Sequence, residues 1–304
     1  MNKLIDSRKC LICFKESGKH RNNTVYWHQD PQDPTNVWCW CNRCGRAYGL
    51  YQYCDLAGIE LKDFLAGNLT FDSTPANEVR KMDWPAWYVP LSDPRAKEGV
   101  DYIKSRGLNV EGDMYYDIDD KGIVFPYYFG EHFVGAQCRF LKERIKDNGD
   151  IQKIDTIPGT RLGLVFYNWN QGPFMTNVKG VIVCEGAFNT LSIQQALNLA
   201  YGGVHRNPWR VVACSGSGAS EHHTEALKEL KEQGIKIVAA SDTDEAGLKM
   251  LVKMQKADCL THYALTMEVG VDWNDKLKQL EHDSFAKWFM GQVKPINDFV
   301  PEPT

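Results

Sequence analysis

Residues 179–257 alternate short apolar runs with amphipathic stretches. Each apolar run is short and rich in β-branched residues, which is typical of strands that are buried on both faces. The stretch after each run spaces its apolar positions three to four residues apart, as a helix does. The runs lie at 179–186, 209–220 and 235–247, and the helical stretches lie at 188–200, 223–234 and 248–257. This order predicts a parallel sheet with crossover helices.

The pattern upstream is different. Residues 99–108 have helical spacing, and Gly107 is placed to end that helix. Two alternating stretches, 121–130 and 132–141, follow with a Gly-Glu turn between them, which predicts a β-hairpin. Residues 66–90 mix Gly, Asn, Ser, Thr and Pro and are typical of a linker.

Composition limits the class of protein. The 304 residues exceed what one ordinary core organises, and 43% apolar with 24% charged residues is typical of a globular chain. No apolar run is long enough to span a bilayer and the first ten residues do not form a signal peptide, so we expect a cytoplasmic location and no membrane partner. The formal net charge of −4 argues against tight DNA binding through bulk positive charge, but it is compatible with an enzyme that uses acidic residues to bind metal ions.

Six of the ten cysteines lie in the first 54 residues. Disulfides are rare in the cytosol, so this cluster indicates metal binding, with reduced thiols in a small core as the alternative. Two C-x-x-C pairs, Cys10 with Cys13 and Cys41 with Cys44, suit one tetrahedral, structural Zn²⁺ site. Other residues close enough in the sequence to substitute as ligands are Cys39, Cys54, His20 and His28.

Basic and aromatic side chains are interleaved around these cysteines. A single-stranded nucleic acid is bound by such a mixture, through phosphate contacts and base stacking. We therefore expect the N-terminal domain to read a single-stranded template, although hairpin packing would also use these aromatic residues. The basic residues are Lys9, Lys15, Lys19, Arg21, Arg43 and Arg46, and the aromatic ones are Tyr26, Trp27, Trp38, Trp40 and Tyr48.

Carboxylates follow two of the predicted parallel strands. Glu185 ends the first apolar run, and Asp242 and Asp244 end the third. The carboxyl ends of parallel strands share one edge of a sheet, so these side chains should meet there. Carboxylate oxygens favour Mg²⁺ or Mn²⁺, and such ions neutralise charge in phosphoryl transfer. The small-residue loop 215–220 and Asp272 belong to the same predicted edge.

Four segments together resemble a known family. EGAFNTL, CSGSGAS, SDTDEAG and VDWND resemble, in this order, the motifs of the TOPRIM fold of DnaG-type and phage DNA primases. The likeness is greatest to the primase half of T7-type phage primase-helicases. Residues 123–141 and 152–168 resemble the basic subdomain that precedes TOPRIM in that family, and the paired C-x-x-C motifs resemble its zinc-binding domain.

The resemblance implies roles for individual residues. Glu185, Asp242 and Asp244 would be catalytic and hold Mg²⁺ or Mn²⁺, with Asp272 assisting. The basic residues Arg139, Lys153 and Arg161 would bind nucleotide or template. Asn189 departs from the family pattern, because many bacterial relatives carry an acidic residue there. No Gly-Lys-Ser/Thr phosphate loop is present, so we expect a separate helicase as partner.

The fold class that follows is α/β, with a small β-rich zinc ribbon, a mixed α+β basic subdomain and a TOPRIM parallel α/β domain. The expected boundaries are a zinc ribbon at 1–62, a linker at 63–90, the basic subdomain at 91–178 and TOPRIM at 179–300. The expected function is synthesis of short RNA primers from ribonucleoside triphosphates on single-stranded DNA. The alternatives are a TOPRIM-type metal-dependent nuclease and a non-catalytic zinc-ribbon DNA-binding replication factor.

Overall fold

A computed structural model describes residues 3–9, 24–29, 37–41, 46–57, 79, 81–145, 149–169, 178–216 and 218–300. Two compact units divide the chain. One comprises residues 1–80 and 137–160, and the other comprises residues 81–136 and 161–304. Of the helices in the described ranges, none is both long and apolar enough to cross a bilayer.

The first unit contains a four-stranded antiparallel sheet in sequence order. Its elements are β1 (Lys3–Lys9), β2 (Thr24–Gln29), β3 (Val37–Cys41), β4 (Arg46–Gly49) and the helix α1 (Leu50–Ala57). On β3 the side chains alternate, with Cys39 and Cys41 buried and Trp40 exposed. The strand period of two therefore directs both thiols into the interior of this small unit.

A second sheet has five strands, again in sequence order. They are β5 (Tyr88–Pro90), β6 (Tyr115–Asp117), β7 (Gly122–Phe129), β8 (His132–Ile145) and β9 (Ile151–Thr156). The predicted hairpin is present as β7 and β8, and the boundary between the two units falls within β8. β7 is buried on both faces over its first six residues, so the predicted alternation is absent there, because GIVFPYYF is a continuous apolar and aromatic run.

The predicted helix before this hairpin is α2 (Lys97–Ser105), and Gly107 follows it with φ +72°, as expected for a helix-ending glycine. The segment before β5 is also ordered against the sheet. Trp84 packs on Tyr115 and Phe133, with ring centroids 4.5 and 4.8 Å apart. The end of the predicted linker, from residue 81, thus packs within the larger unit, and the full set of domain boundaries stays a prediction.

The predicted parallel sheet is present in the larger unit. Its order is β11-β10-β12-β13-β14, and only the last strand is antiparallel. The strands are β10 (Gly180–Cys184), β11 (Trp209–Ala213), β12 (Lys236–Ser241), β13 (His262–Leu265) and β14 (Lys294–Pro295). The helices are α3 (Ala187–Ala200), α4 (Glu221–Glu232), α5 (Glu245–Lys256) and α6 (Trp273–Gln292). The α/β fold class is confirmed.

Burial explains why these apolar runs form strands. All five residues of β10 are buried, and β12 is buried from its second residue onward. Valine, isoleucine and leucine side chains buried in this way each stabilise the fold by roughly 1.5–3 kcal/mol. One core cluster joins β10, β11 and β12 to α4 and α5. The sheet is therefore a rigid support for the residues that follow the carboxyl ends of its strands.

Candidate active site

Glu185 stands at the carboxyl end of β10, immediately before the helix α3. Gly186 is the N-cap residue of that helix. The Oε1 atom of Glu185 is buried, and among the described residues it has no hydrogen-bond partner. A buried carboxylate oxygen without a donor is costly, so this atom is suited to a cation.

Asp242 and Asp244 follow β12, which is the direct neighbour of β10 in the sheet. Asp244 caps α5, because its Oδ1 accepts a hydrogen bond of 2.8 Å from the backbone N–H of Gly247. Since β10 and β12 are parallel, the structure brings Glu185 and this pair to the same edge, as the sequence predicts.

Gly247 allows this close approach. A Cβ atom at this position would overlap the carbonyl oxygen of Asp242 and would stand 2.6 Å from Oε1 of Glu185. Only a residue without a side chain therefore lets the first turn of α5 pack against both strand ends. Residues 242–247 form the pattern Asp-x-Asp-x-x-Gly (DxD-x-x-Gly), and its glycine is thus explained by contact with Asp242 and Glu185.

The carboxylates also perturb one another. Burial raises the pKa of Asp242 to about 7, and the negative charges of Glu185, Asp272 and Asp244 add to the shift in that order. Burial and the charge of Asp244 raise the pKa of Glu185, and burial raises the pKa of Asp272. Mutual repulsion of this kind is typical of sites that bind a cation or exchange a proton.

Asp272 reaches the group from the start of α6. It is the N-cap residue of that helix, and its Oδ1 accepts a hydrogen bond of 2.8 Å from the N–H of Asp275. Asn189, on α3, donates from Nδ2 to both carboxylate oxygens of Asp242, at 3.1 and 3.3 Å. Its Oδ1 accepts from the backbone N–H of Asn274 at 3.4 Å. The start of α6, which includes Asp272, is thus linked to Asp242 through the side-chain amide of Asn189 and the backbone N–H of Asn274.

The small-residue loop after β11 is fixed at both ends. At its start, Ser215 has φ +55°, donates its N–H to the Glu185 carbonyl oxygen, and accepts a 2.6 Å hydrogen bond from the Tyr127 hydroxyl. At its end, Ser220 caps α4 and donates its hydroxyl to the carbonyl oxygen of Gly163. The loop therefore starts beside Glu185 in a fixed conformation.

The remaining predicted site residues are the zinc candidates and three basic side chains. Of the zinc candidates, Cys10, Cys13 and Cys44 lie outside the described residues, and Cys41 is buried at the end of β3. Arg139 pairs with Ile154 across β8 and β9, and Lys153 forms an exposed 3.0 Å ion pair with Glu143. Arg161 precedes a short 3₁₀ turn, Leu162–Leu164. Their roles stay predictions.

Within the part of the chain that the structure describes, no group of three or more His, Cys, Asp or Glu side chains forms a ready metal-binding cluster. The donor chemistry nevertheless fits a divalent cation at the strand ends. Glu185 offers an unpartnered oxygen, and the carboxylates around Asp242 repel one another in the absence of a positive charge.

Sequence reasoning missed several residues of the site. Asn274, Gly247 and Tyr127 were not assigned a role, and Asn189 was noted only as a departure from a family pattern. Asn189, Asn274 and Tyr127 make these contacts with residues distant in the sequence, whereas Gly247 also approaches Asp242, five residues before it. The Gly of DxD-x-x-Gly was therefore the one signal that could have been interpreted from local sequence.

Comparison with known proteins shows the fold. Residues 182–277 match the family model described as Toprim-like. The RNA polymerase domain of Mycobacterium tuberculosis primase DnaG, in complex with a double-stranded DNA oligomer with a 6-nucleotide overhang, matches with a TM-score of 0.50 and 15% identity, over 68% of this chain and 76% of that chain. The chain thus has a Toprim-like domain within the fold of a DnaG-type primase RNA polymerase domain.

Two further solved structures are similar. A DNA primase domain from Pseudomonas aeruginosa matches at 19% identity and a TM-score of 0.49, over 69% of this chain and 76% of that chain. The Aquifex aeolicus primase, with its zinc-binding and RNA polymerase domains, matches at 15% identity and a TM-score of 0.49, over 94% of this chain and 83% of that chain. No curated protein sequence matches this chain.

Proposed function

We propose that this protein is a DNA primase that joins ribonucleotides into short primers on a single-stranded DNA template. The observation that carries the proposal is the meeting of Glu185 and Asp242 at adjacent strand ends of a Toprim-like domain, where burial and neighbouring carboxylates raise the pKa of both side chains. In this proposal the 3′ hydroxyl of one nucleotide attacks the α-phosphorus of the next. The bond to the leaving pyrophosphate then breaks.

Glu185, Asp242 and Asp244 would hold Mg²⁺ or Mn²⁺, with Asp272 assisting. A bound divalent cation neutralises phosphate charge and orients the reacting oxygens. The chain's own contribution is rigidity, since the strands that end in these carboxylates are buried, apart from the first residue of β12. One carboxylate oxygen of Asp244 caps α5, and the other would bind the cation.

The N-terminal unit would bind one structural Zn²⁺ through Cys10, Cys13, Cys41 and Cys44 and would select the start site on the template. The burial of Cys41 on β3 supports a thiolate that faces the interior. Arg139, Lys153 and Arg161 would bind nucleotide or template. A separate replicative helicase and a bacteriophage origin are the expectations of the family resemblance, and the helicase would deliver the single-stranded DNA.

The test is template-dependent incorporation of labelled ribonucleotides, with products sized on a gel. We expect short RNAs from particular start sites, and a loss of at least about 100-fold in Glu185→Gln and Asp242→Ala, because both remove a proposed metal ligand. Glu245→Gln is the matched control. Glu245 is next to Asp244 but pairs with Lys249 on the exposed side of α5, so incorporation should persist.

The rival function is a metal-dependent nuclease, because the same carboxylates could direct water at a phosphodiester. Shortening of the template without RNA products would support the nuclease. Full incorporation by both Glu185→Gln and Asp242→Ala would contradict catalysis at this site altogether.

A further inference from the structure

Two buried amides connect Asp242 to the start of α6. The first, Asn189, donates to both oxygens of Asp242, at 3.1 and 3.3 Å, and its own oxygen accepts from the N–H of Asn274. Asn189 is 7% exposed and Asn274 is fully buried. We call this pair the amide relay.

The orientation of Asn189 in the relay is determined by its neighbours. The N–H of Asn274 is one of the N-terminal helix donors that have no acceptor within the helix, so it requires an oxygen. The carboxylate of Asp242 accepts hydrogen bonds and requires a donor. Only one orientation of the Asn189 amide satisfies both. An aspartate or a leucine at this position would satisfy at most one of them.

Asn274 is itself held in place. Its Nδ2 donates to the carbonyl oxygen of Arg106 and to the hydroxyl of Ser192, both at 2.9 Å, and its Oδ1 accepts from Arg106 at 3.2 Å. The Arg106 guanidinium lies over the rings of both Tyr102 and Phe188, at 5.4 and 5.1 Å from their centroids. The far end of the relay is therefore a fixed point.

Asp272 is two residues before Asn274 and caps the same helix. A constraint on the first turn of α6 therefore also constrains Asp272. The relay sets the separation between two carboxylates that come from distant parts of the sequence, one after β12 and one before α6. The two carboxylates repel each other, since the charge of Asp272 contributes to the raised pKa of Asp242, and the hydrogen bonds from Asn189 act against that shift.

We propose that Asn189 is a positioning residue that orients the carboxylate of Asp242 and holds it at a set distance from Asp272 for binding of a divalent cation. This inference rests on the proposed function, in which those carboxylates bind the metal ion. Asn189 is not itself assigned as a ligand, because its nitrogen has no free electron pair and its oxygen already accepts from Asn274.

The experiment measures Mn²⁺ binding to the full chain by electron paramagnetic resonance, which distinguishes free from bound ion. We expect Asn189→Ala to weaken Mn²⁺ binding by about 10- to 100-fold, the usual effect of removing a group that orients a metal ligand. Asn189→Asp should weaken it similarly, because an ionised aspartate cannot donate to Asp242. In primer synthesis, both variants should need more Mn²⁺ for half-maximal rate.

Asn198→Ala is the matched control. Asn198 lies on the same helix and accepts side-chain hydrogen bonds from Gln194 and Asn207, outside the relay. Its loss should lower the thermal unfolding midpoint without a change in Mn²⁺ affinity. Circular dichroism in chelator checks that each variant is folded. If Asn189 has only a structural role, Asn189→Ala lowers the unfolding midpoint and leaves the Mn²⁺ affinity unchanged.

The outcomes separate the relay from the proposed function. If the wild type binds Mn²⁺, Asp242→Ala abolishes that binding and Asn189→Ala binds with unchanged affinity, then the relay is wrong and the proposed metal site stands. Tighter binding in Asn189→Asp also overturns it, because residue 189 would then act as a ligand position. If Asp242→Ala binds Mn²⁺ as well as the wild type does, or if the wild type binds no Mn²⁺, then both the relay and the proposed metal site are wrong.

Discussion

At the scale of single residues, the acidic group combines burial with like charge. Asp242 accepts hydrogen bonds from Asn189, and burial, together with the charges of three other carboxylates, raises its pKa to about 7. Such a cluster is expected to reduce the stability of the metal-free protein, because charged forms of neighbouring carboxylates repel one another. The same repulsion would favour a divalent cation.

Asp242→Asn should therefore stabilise the protein while it abolishes primer synthesis. The substitution keeps an oxygen that can accept from Asn189 and removes one of the repelling charges. At pH 8 in chelator we expect a gain of about 1–4 kcal/mol in the free energy of unfolding, measured by urea denaturation. Excess Mg²⁺ should narrow the difference from the wild type. Lower stability of the variant in chelator would show that the carboxylates do not repel one another as described.

His223 offers a second residue-scale prediction, in the larger unit. Its Nδ1 accepts from the N–H of Ser220, and its Nε2 donates to the carbonyl oxygen of Val165, so the ring is neutral with the proton on Nε2. Burial lowers the pKa of His223 below its usual value near 6.5. Between the lowered pKa and 6.5 the unfolded chain binds more protons than the folded one. Stability should therefore be present above pH 6.5 and decline as the pH falls below it.

The measurement is the unfolding free energy at pH 7.5 and 5.5 for the wild type, His223→Gln and His222→Gln. His222 is the exposed neighbour on the same helix. The acid-induced loss should shrink in His223→Gln and persist in His222→Gln. An equal loss in all three proteins would contradict the role of His223.

At the scale of elements, caps and close contacts decide where helices begin. α4 begins at Glu221 and α5 at Glu245, two and three residues before the predicted starts at 223 and 248. In both cases the N-cap side chain, Ser220 or Asp244, accepts a hydrogen bond from a backbone N–H in the first turn. Apolar spacing does not show these first turns, because the residues that form them are mostly polar.

Side-chain hydrogen bonds also connect the loop between β13 and α6 to the segment 242–244. The hydroxyl of Thr243 donates to the carbonyl oxygen of Glu268 at 2.8 Å and contacts the hydroxyl of Thr266 at 3.1 Å. The carboxylate of Glu268 pairs with Lys276 on α6. The middle residue of DxD therefore helps to hold the loop that leads to Asp272.

Gly247→Ala should be strongly disruptive at this scale. The added Cβ would overlap the Asp242 carbonyl and approach Oε1 of Glu185, so α5 would have to move away from the strand ends. We expect a loss of about 1–3 kcal/mol in unfolding free energy and a large drop in primer synthesis. Gly291→Ala is the control, because a Cβ there meets nothing within 4 Å and removing a helical glycine should stabilise slightly. Equal behaviour of the two variants would refute the contact argument.

At the scale of the whole molecule, the chain has two units, and both would be needed for priming. The larger unit has the Toprim-like domain, and the smaller one has the antiparallel sheet with buried Cys39 and Cys41. Zinc would supply much of the stabilisation of such a small cysteine-rich sheet.

Metal analysis of the purified protein should find about one Zn²⁺ per chain, and Cys41→Ser should lose it, since the substitution removes one of the four thiolates that would close the structural site. Cys39→Ser distinguishes the open ligand sets. Retention of zinc in Cys39→Ser supports the paired C-x-x-C ligands. If Cys39→Ser loses zinc and Cys41→Ser retains it, Cys39 is the ligand in place of Cys41. Start-site selection in primer synthesis should decline together with zinc content, while Cys184→Ser, in the parallel sheet, should not affect the metal.

The sequence by itself determined the parallel sheet and the residues at its carboxyl edge. Buried strands such as β10 consist of uninterrupted apolar residues, and a strand end followed by Glu185 or by Asp242 is visible without a structure. α6 and β13 escaped prediction: α6 contains a kink at Glu281, where φ is 58°, and β13 has only four residues. Short or bent elements carry too few periodic positions to be recognised.

Only the tertiary structure decided how the acidic residues are held. Asn189 and Asn274 are 85 residues apart in sequence, and Arg106 is 168 residues from Asn274. No local pattern encodes these partners, because a hydrogen bond between side chains depends on which helices the fold places side by side. The sequence thus determined which carboxylates meet, and the packing of α3 against α6 decided which amides position them.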